Sequence, residues 1–85
     1  MMYHNGTETV NALRFSGTES SYFMIRRAMP SIIYRSVLCE NNGKQFIDIK
    51  TEKGWDKCSP HDWVIHDASK GYYSLTDKEF IEKLY

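Results

Sequence analysis

From Thr9 to Phe15, apolar Val10, Leu13 and Phe15 are interleaved with polar residues, a pattern that predicts a first strand. Ser16-Gly17 breaks it. Tyr22, Ile25 and Met29 then recur at helical spacing with Ala28 beside them, which predicts a helix with one apolar stripe. A hydroxyl on Thr18 or Ser20 can cap its first turn by accepting from an orphan N–H. Arg26 and Arg27 fall on its other side, near the end where the macrodipole favours cations. Pro30 ends the helix by disfavouring helical geometry at Met29.

The remainder reads mostly as strands. Ser31 to Glu40 carries Ile32, Ile33, Tyr34 and Val37, a run apolar on both faces and therefore expected to be a central strand. Asn41-Asn42-Gly43 signals a hairpin, because Asn and Gly tolerate positive φ. Phe46 to Thr51 returns with Ile47 and Ile49 on one face, and Lys53-Gly54 turns the chain again. Short strands follow at Trp55–Cys58, Trp63–His66 and Tyr72–Leu75. They are separated by Ser59-Pro60-His61-Asp62, where Pro fixes φ, and by Asp67 to Gly71. Thr76-Asp77-Lys78-Glu79 is a capping box opening a last helix, whose apolar stripe is Phe80, Ile81, Leu84 and Tyr85. The predicted fold is α+β: strand, helix, an antiparallel meander of four to five strands, and a C-terminal helix. Residues 1–8 are expected to be a loose segment and residues 9–85 a single domain.

Composition narrows the function. Eighty-five residues hold one small domain. Eleven Lys+Arg balance eleven Asp+Glu, which argues against both a general DNA coater and an acidic DNA mimic. All four arginines (Arg14, Arg26, Arg27, Arg35) lie in the first half and all lysines in the second. No apolar run approaches the roughly 18–20 residues that span a bilayer, and Met1 to Gly6 lacks the basic start of a secretory signal. Cys39 and Cys58 form no CxxC pair and read as reduced thiols of a cytoplasmic protein, with one disulfide between two strands as the alternative.

The second half resembles a family of small bacteriophage proteins of unknown function. Their pattern is a turn and strand of the form Pro-Gly-Asp-Trp-hydrophobic-hydrophobic, then Gly-x-Phe/Tyr, then a terminal Phe-x-x-x-Tyr. Here Pro60-His61-Asp62-Trp63-Val64-Ile65 matches the turn and Gly71-Tyr72-Tyr73 the next element. Phe80 and Tyr85 match the last with one residue more between them. Val10 to Gly17 is similar to the family's opening strand. His61 replaces the family's Gly. The resemblance implies a phage or prophage origin and action in the cytoplasm of a bacterial host, with no reaction attached.

Candidate chemistry is thin. Cys58, His61, His66 and Cys39 are acceptable zinc ligand types, but their spacing matches no standard knuckle. Cys58, His61 and Asp62 are too close in sequence to converge as nucleophile, base and orienter. Gly17 to Ser21 opens a helix without the spacing of a phosphate loop. Arg26, Arg27 and Arg35 with Tyr22 and Tyr34 could make a basic stacking patch, yet zero net charge argues against nucleic acid as the partner. Twelve aromatic rings exceed what so small a domain can hide.

The leading expectation is therefore a non-enzymatic phage accessory protein that binds and occludes a host protein, for host takeover or counter-defence such as anti-CRISPR activity. Its candidate contact residues are Arg26, Arg27, Arg35, Trp55, Tyr72 and Tyr73. Tyr72 and Tyr73 point to opposite faces of one strand, so one of them is expected outside. No catalytic, cofactor or metal residue is assigned, and a homodimer is a further option. The alternatives are a small-ligand or nucleotide-sequestering module, with Arg26, Arg27 or Arg35 reaching an anion, and a virion assembly protein.

Overall fold

A computed structural model describes residues 2–5 and 8–83, with side chains described from residue 10 to 83. The elements run β1 (Met2–Asn5), β2 (Glu8–Arg14), α1 (Glu19–Ala28), a 3-10 helix (Pro30–Tyr34), β3 (Ser36–Asn41) and β4 (Lys44–Thr51). There follow β5 (Gly54–Cys58), β6 (Trp63–Asp67), β7 (Gly71–Leu75) and α2 (Asp77–Lys83). The fold is α+β, as its patterning predicts. The strands form two antiparallel sheets rather than one meander, with orders β1-β2-β6-β7 and β3-β4-β5.

Local chemistry explains the element ends. The Thr18 hydroxyl accepts from Ser21 N at 3.1 Å and caps α1, while Ser21 Oγ accepts from Ser16 N at 2.9 Å. Asn42 (φ 54) and Gly43 (φ 77) both sit at positive φ in the β3–β4 turn, the requirement of a two-residue type I′ hairpin. The α2 capping box closes in both directions: Thr76 N donates to Glu79 Oε1 at 3.0 Å and Glu79 N to Thr76 Oγ1 at 3.1 Å.

The first sheet is covered on both faces. On one, Leu13, Val64 and Tyr72 pack with Tyr22, Ile25 and Met29 of α1, with Ile32, and with Ile47, Ile49 and Cys58 of the second sheet. On the other, Val10, Ala12, Ile65 and Leu75 pack with Phe80 of α2, flanked by Trp63 and Tyr73. Alternation decides which residue goes where: Val64 and Ile65 are neighbours in β6 and serve different cores. The second sheet buries Ile47, Ile49 and Cys58 and turns Val37, Lys50, Trp55 and Lys57 to solvent.

Three expectations need correction. Met2–Asn5 is not loose but pairs antiparallel with β2. The pairing satisfies one edge of β2. Residues 31–40 are not a central strand: Pro30–Tyr34 is a 3-10 helix and β3 is an edge strand. Pro30 sits at the start of the 3-10 helix, whose three-residue turn buries Ile32 and exposes Ile33 and Tyr34. Ser36 Oγ then donates to Ile32 O at 2.8 Å. In α2 only Phe80 of the expected stripe is buried; Ile81 is 65% exposed, and Leu84 and Tyr85 lie outside the described residues.

Candidate functional site

The Pro60–Ile65 motif is architectural. Asp62 N donates to Ser59 O at 3.0 Å, and His61 occupies the third turn position at φ 76, which makes this a type II turn. The turn is stitched to the end of β2: His61 N donates to Phe15 O (2.7 Å), Phe15 N to Asp62 O (2.9 Å) and Arg14 Nε to His61 O (3.1 Å). Asp62 Oδ2 accepts from Ser59 N at 3.0 Å. Trp63 then stacks on Phe80 at 3.8 Å between centroids, 4° from parallel, and donates Nε1–H to Asp77 Oδ1 at 3.0 Å. Arg14 reaches the same carboxylate oxygen at 3.7 Å. The turn backbone and the Trp63 N–H hold β2, β6 and α2 together, while the Asp62 carboxylate closes the turn on itself.

The cysteines are also structural. Cys58 is fully buried, and burial pushes its thiol up to about 12, far from a thiolate at neutral pH. Burial, and then the Asp48 carboxylate beside it, raise the Cys39 thiol as well. Cys39 pairs across from Phe46, whereas Cys58 pairs across from Ile47, so the two thiols lie on opposite faces of the second sheet. With β4 between them, their backbones stand roughly 9–10 Å apart, beyond disulfide reach, and both are free. Among the described residues no three His, Cys, Asp or Glu side chains are placed to share a metal ion.

The six candidate contact residues divide between two regions. Arg26 and Arg27 lie on α1 beside Phe23, Pro30 and Ile33 around a shallow cavity of about 530 Å³. The Arg26 guanidinium stands 5.4 Å from the Phe23 ring centroid and 5.8 Å from that of Tyr22, which fixes the cation against an aromatic surface. Trp55, 61% exposed, and half-buried Tyr73 line a different groove between the β4–β5 turn, β7 and α2. Tyr72 is withdrawn as a contact residue. It is buried, its ring stacks on His66 at 4.2 Å, and its hydroxyl hydrogen-bonds Ser31 Oγ. Tyr22 is likewise buried, with its hydroxyl bonded to Ser36 Oγ at 2.9 Å.

Arg35 belongs with the second region. It ends the 3-10 helix just before β3, and its carbonyl accepts from Lys50 N at 2.6 Å; Lys50 in turn lies across from Trp55. Arg35 and Lys50 line a cavity of about 490 Å³ with Tyr34, His66 and Lys70. That cavity shares Thr51, Glu52, Lys70 and Tyr72 with the Trp55 groove, so the two are continuous. Sequence reasoning missed Phe23, Met24, Ile33, Lys50 and Lys70. Phe23 and Met24 carried a signal, being large apolar residues off the helix stripe.

No helix among the described residues is long and apolar enough to cross a membrane. In comparisons with protein-family models, curated proteins and solved structures, the chain finds no significant match.

Proposed function

We propose that this chain is a non-enzymatic binding protein that docks on a second protein through the outer face of α1 and the 3-10 helix. In its biological setting it would be a bacteriophage accessory protein that occludes a host protein in the bacterial cytoplasm, counter-defence included. That setting is carried by the Pro60–Ile65 resemblance alone. One observation supports the surface: Phe23 (49%), Met24 (67%), Ile33 (44%) and Tyr34 (85%) are all exposed on two consecutive elements, with Arg26 and Arg27 among them. Isolated exposed apolar side chains are ordinary, but a contiguous set rimmed by arginine is the composition of a protein interface. The chain's rings and arginines would supply the contact, and steric cover would be the effect.

The test is co-purification from a bacterial host lysate with wild type and with a Phe23→Asp/Met24→Asp double variant. Phe23 and Met24 are about half and two-thirds exposed, and circular dichroism checks that the variant folds. A single stoichiometric partner held by wild type and lost by the variant is the expected result. Equal retention by both proteins, or no partner for wild type, overturns the reading. Sedimentation of the free protein distinguishes a second copy of the chain from a foreign partner on the same face.

A further inference from the structure

We propose that Arg35, Lys50 and Lys70 form a phosphate site flanked by the exposed rings of Tyr34 and Trp55, and that it takes a nucleotide, either free or within a single strand. This site lies where the 3-10 helix and the end of β4 meet the β6–β7 turn; it shares Tyr34 with the proposed docking surface but none of that surface's α1 residues.

Two cations of the cluster sit in local electrostatic conflict. Arg35 ends the 3-10 helix just before β3, and the Lys50 N–H to Arg35 O bond, next to the Ser36–Ile49 pair, holds its backbone beside that of Lys50. Like charges on neighbouring backbone repel one another. No carboxylate lies within 4.0 Å of either cation among the described residues, and the same holds for Lys70. Glu52 is the single acid lining their cavity, and Asp56, which accepts from Ser74 N, lines the adjoining Trp55 groove. A chain of zero net charge with as many acids as bases has the means to neutralise this cluster and leaves it cationic.

The backbone beneath the cluster is fixed. Asp67 Oδ1 accepts from Ser69 N (2.8 Å), Ser69 Oγ (2.8 Å) and Lys70 N (3.2 Å), which fixes the backbone that presents Lys70. The His66–Tyr72 stack supports the floor of the cavity. The backbones of Arg35 and Lys50 are held together by the bond between them. With the backbone anchored, binding an anion has only the side chains left to order.

Two exposed rings select the anion. Tyr34 is 85% exposed and Trp55 61% exposed, one beside Arg35 in the chain and the other across from Lys50. Aromatic faces next to cations recognise a base attached to a phosphate, each stack being tolerant of base identity. The continuous cavities, about 490 and 500 Å³, fall within the usual range of ligand pockets. The balance of charge over the whole chain argues only against bulk electrostatic coating, which this local site does not require.

The probes are ATP, a short fluorescent oligodeoxythymidylate and inorganic phosphate, titrated against the whole chain at low salt. ATP and the oligonucleotide are expected to bind more tightly than phosphate; the tighter of the two identifies the free nucleotide or the strand as the source. Lys50→Glu and Lys70→Glu should each weaken binding about tenfold or more, while Tyr34→Ala and Trp55→Ala should cost about five- to 150-fold. Glu52→Gln should tighten it, and Lys78→Glu, on α2 outside these cavities, should leave it unchanged. For the strand, three phosphate contacts give a log–log salt slope of about −2. Lys50→Glu should also raise the melting temperature by relieving the clash with Arg35, so stability rises as binding falls. The proposal is overturned by no binding of ATP or oligonucleotide, by phosphate binding equally well, or by charge reversals without effect.

Discussion

His61 sits where its backbone is unfavourable for any side chain, and replacing it with glycine should stabilise the protein. An L-residue in the left-handed region costs roughly 1–2 kcal/mol, with His toward the lower end because it is among the types enriched there. Glycine removes that strain but gains freedom in the unfolded chain, which takes back about 0.4–1 kcal/mol. The His61 side chain is exposed, and the two stitching bonds at this position use its backbone N–H and carbonyl, which glycine retains. The net expectation for His61→Gly is a gain of about 0.5 kcal/mol, or about 2–4 °C in Tm for a domain of this size. His61→Ala keeps the strain and should melt at or below wild type. Thermal unfolding followed by circular dichroism, checked by urea titration, reads both variants. An alanine variant as stable as the glycine one would refute the argument, because alanine keeps the strain at positive φ that glycine relieves. The same contact runs the other way at Gly17 (φ 90), where an added Cβ would stand 2.9 Å from Pro60 Cβ. Gly17→Ala should therefore destabilise by at least about 1–2 kcal/mol.

Two further outcomes follow from groups already placed. Iodoacetamide at about pH 8 should alkylate Cys39 in the folded protein and Cys58 only after denaturant is added, because Cys58 is buried and its thiol is pushed up to about 12; mass spectrometry of tryptic peptides would show it, and early Cys58 labelling would contradict the core assignment. The Thr76 backbone N–H, followed by the Thr76 hydroxyl and Lys83, holds the Glu79 carboxyl below its ordinary range against a smaller opposing effect of burial. A carboxylate lowered in the folded state stabilises at pH above its unfolded value of about 4.3 and loses that contribution as pH falls through the folded value. The stability difference between wild type and Glu79→Gln should accordingly shrink below about pH 4, and a difference that grew on acidification would reverse the sign.

Signals confined to a few neighbouring residues were readable from the chain. The Asn42-Gly43 turn, the Thr18 cap, the α1 stripe and the reciprocal Thr76–Glu79 bonds are all local, and each is where its residue types require. Partner choice between strands was not readable. β5 and β6 are consecutive, yet the Ser59–Asp62 turn gives its backbone to Phe15 and sends β6 to β2, so one expected meander becomes two sheets. The Ile32-Ile33-Tyr34 run misled because β-branching is a weak preference that Pro30 and the surrounding packing override. The cationic groove was invisible for a related reason. Arg35, Lys50 and Lys70 are far apart in sequence, and only the register of β3 on β4 and the Asp67 turn bring them together. Trp55 was legible as an exposed ring because Gly54 and Asp56 flank it on a short strand.

α2 spans only Asp77–Lys83, well below the roughly 12–15 residues at which an isolated helix becomes even marginal in water. It persists because Phe80 lies on Trp63 and Asp77 receives the Trp63 N–H and the Arg14 cation. Both partners exist in place only once β2 has paired with β6, across nearly fifty residues of intervening chain. The helix is thus a reporter of the slowest, most non-local step in assembly. In a refolding experiment its amide protection should emerge together with that of the β2–β6 ladder and after the β3–β4 hairpin. Until then Val10, Ala12, Ile65 and Leu75 would stand uncovered, and the folding intermediate, rather than the native protein, would be the sticky species.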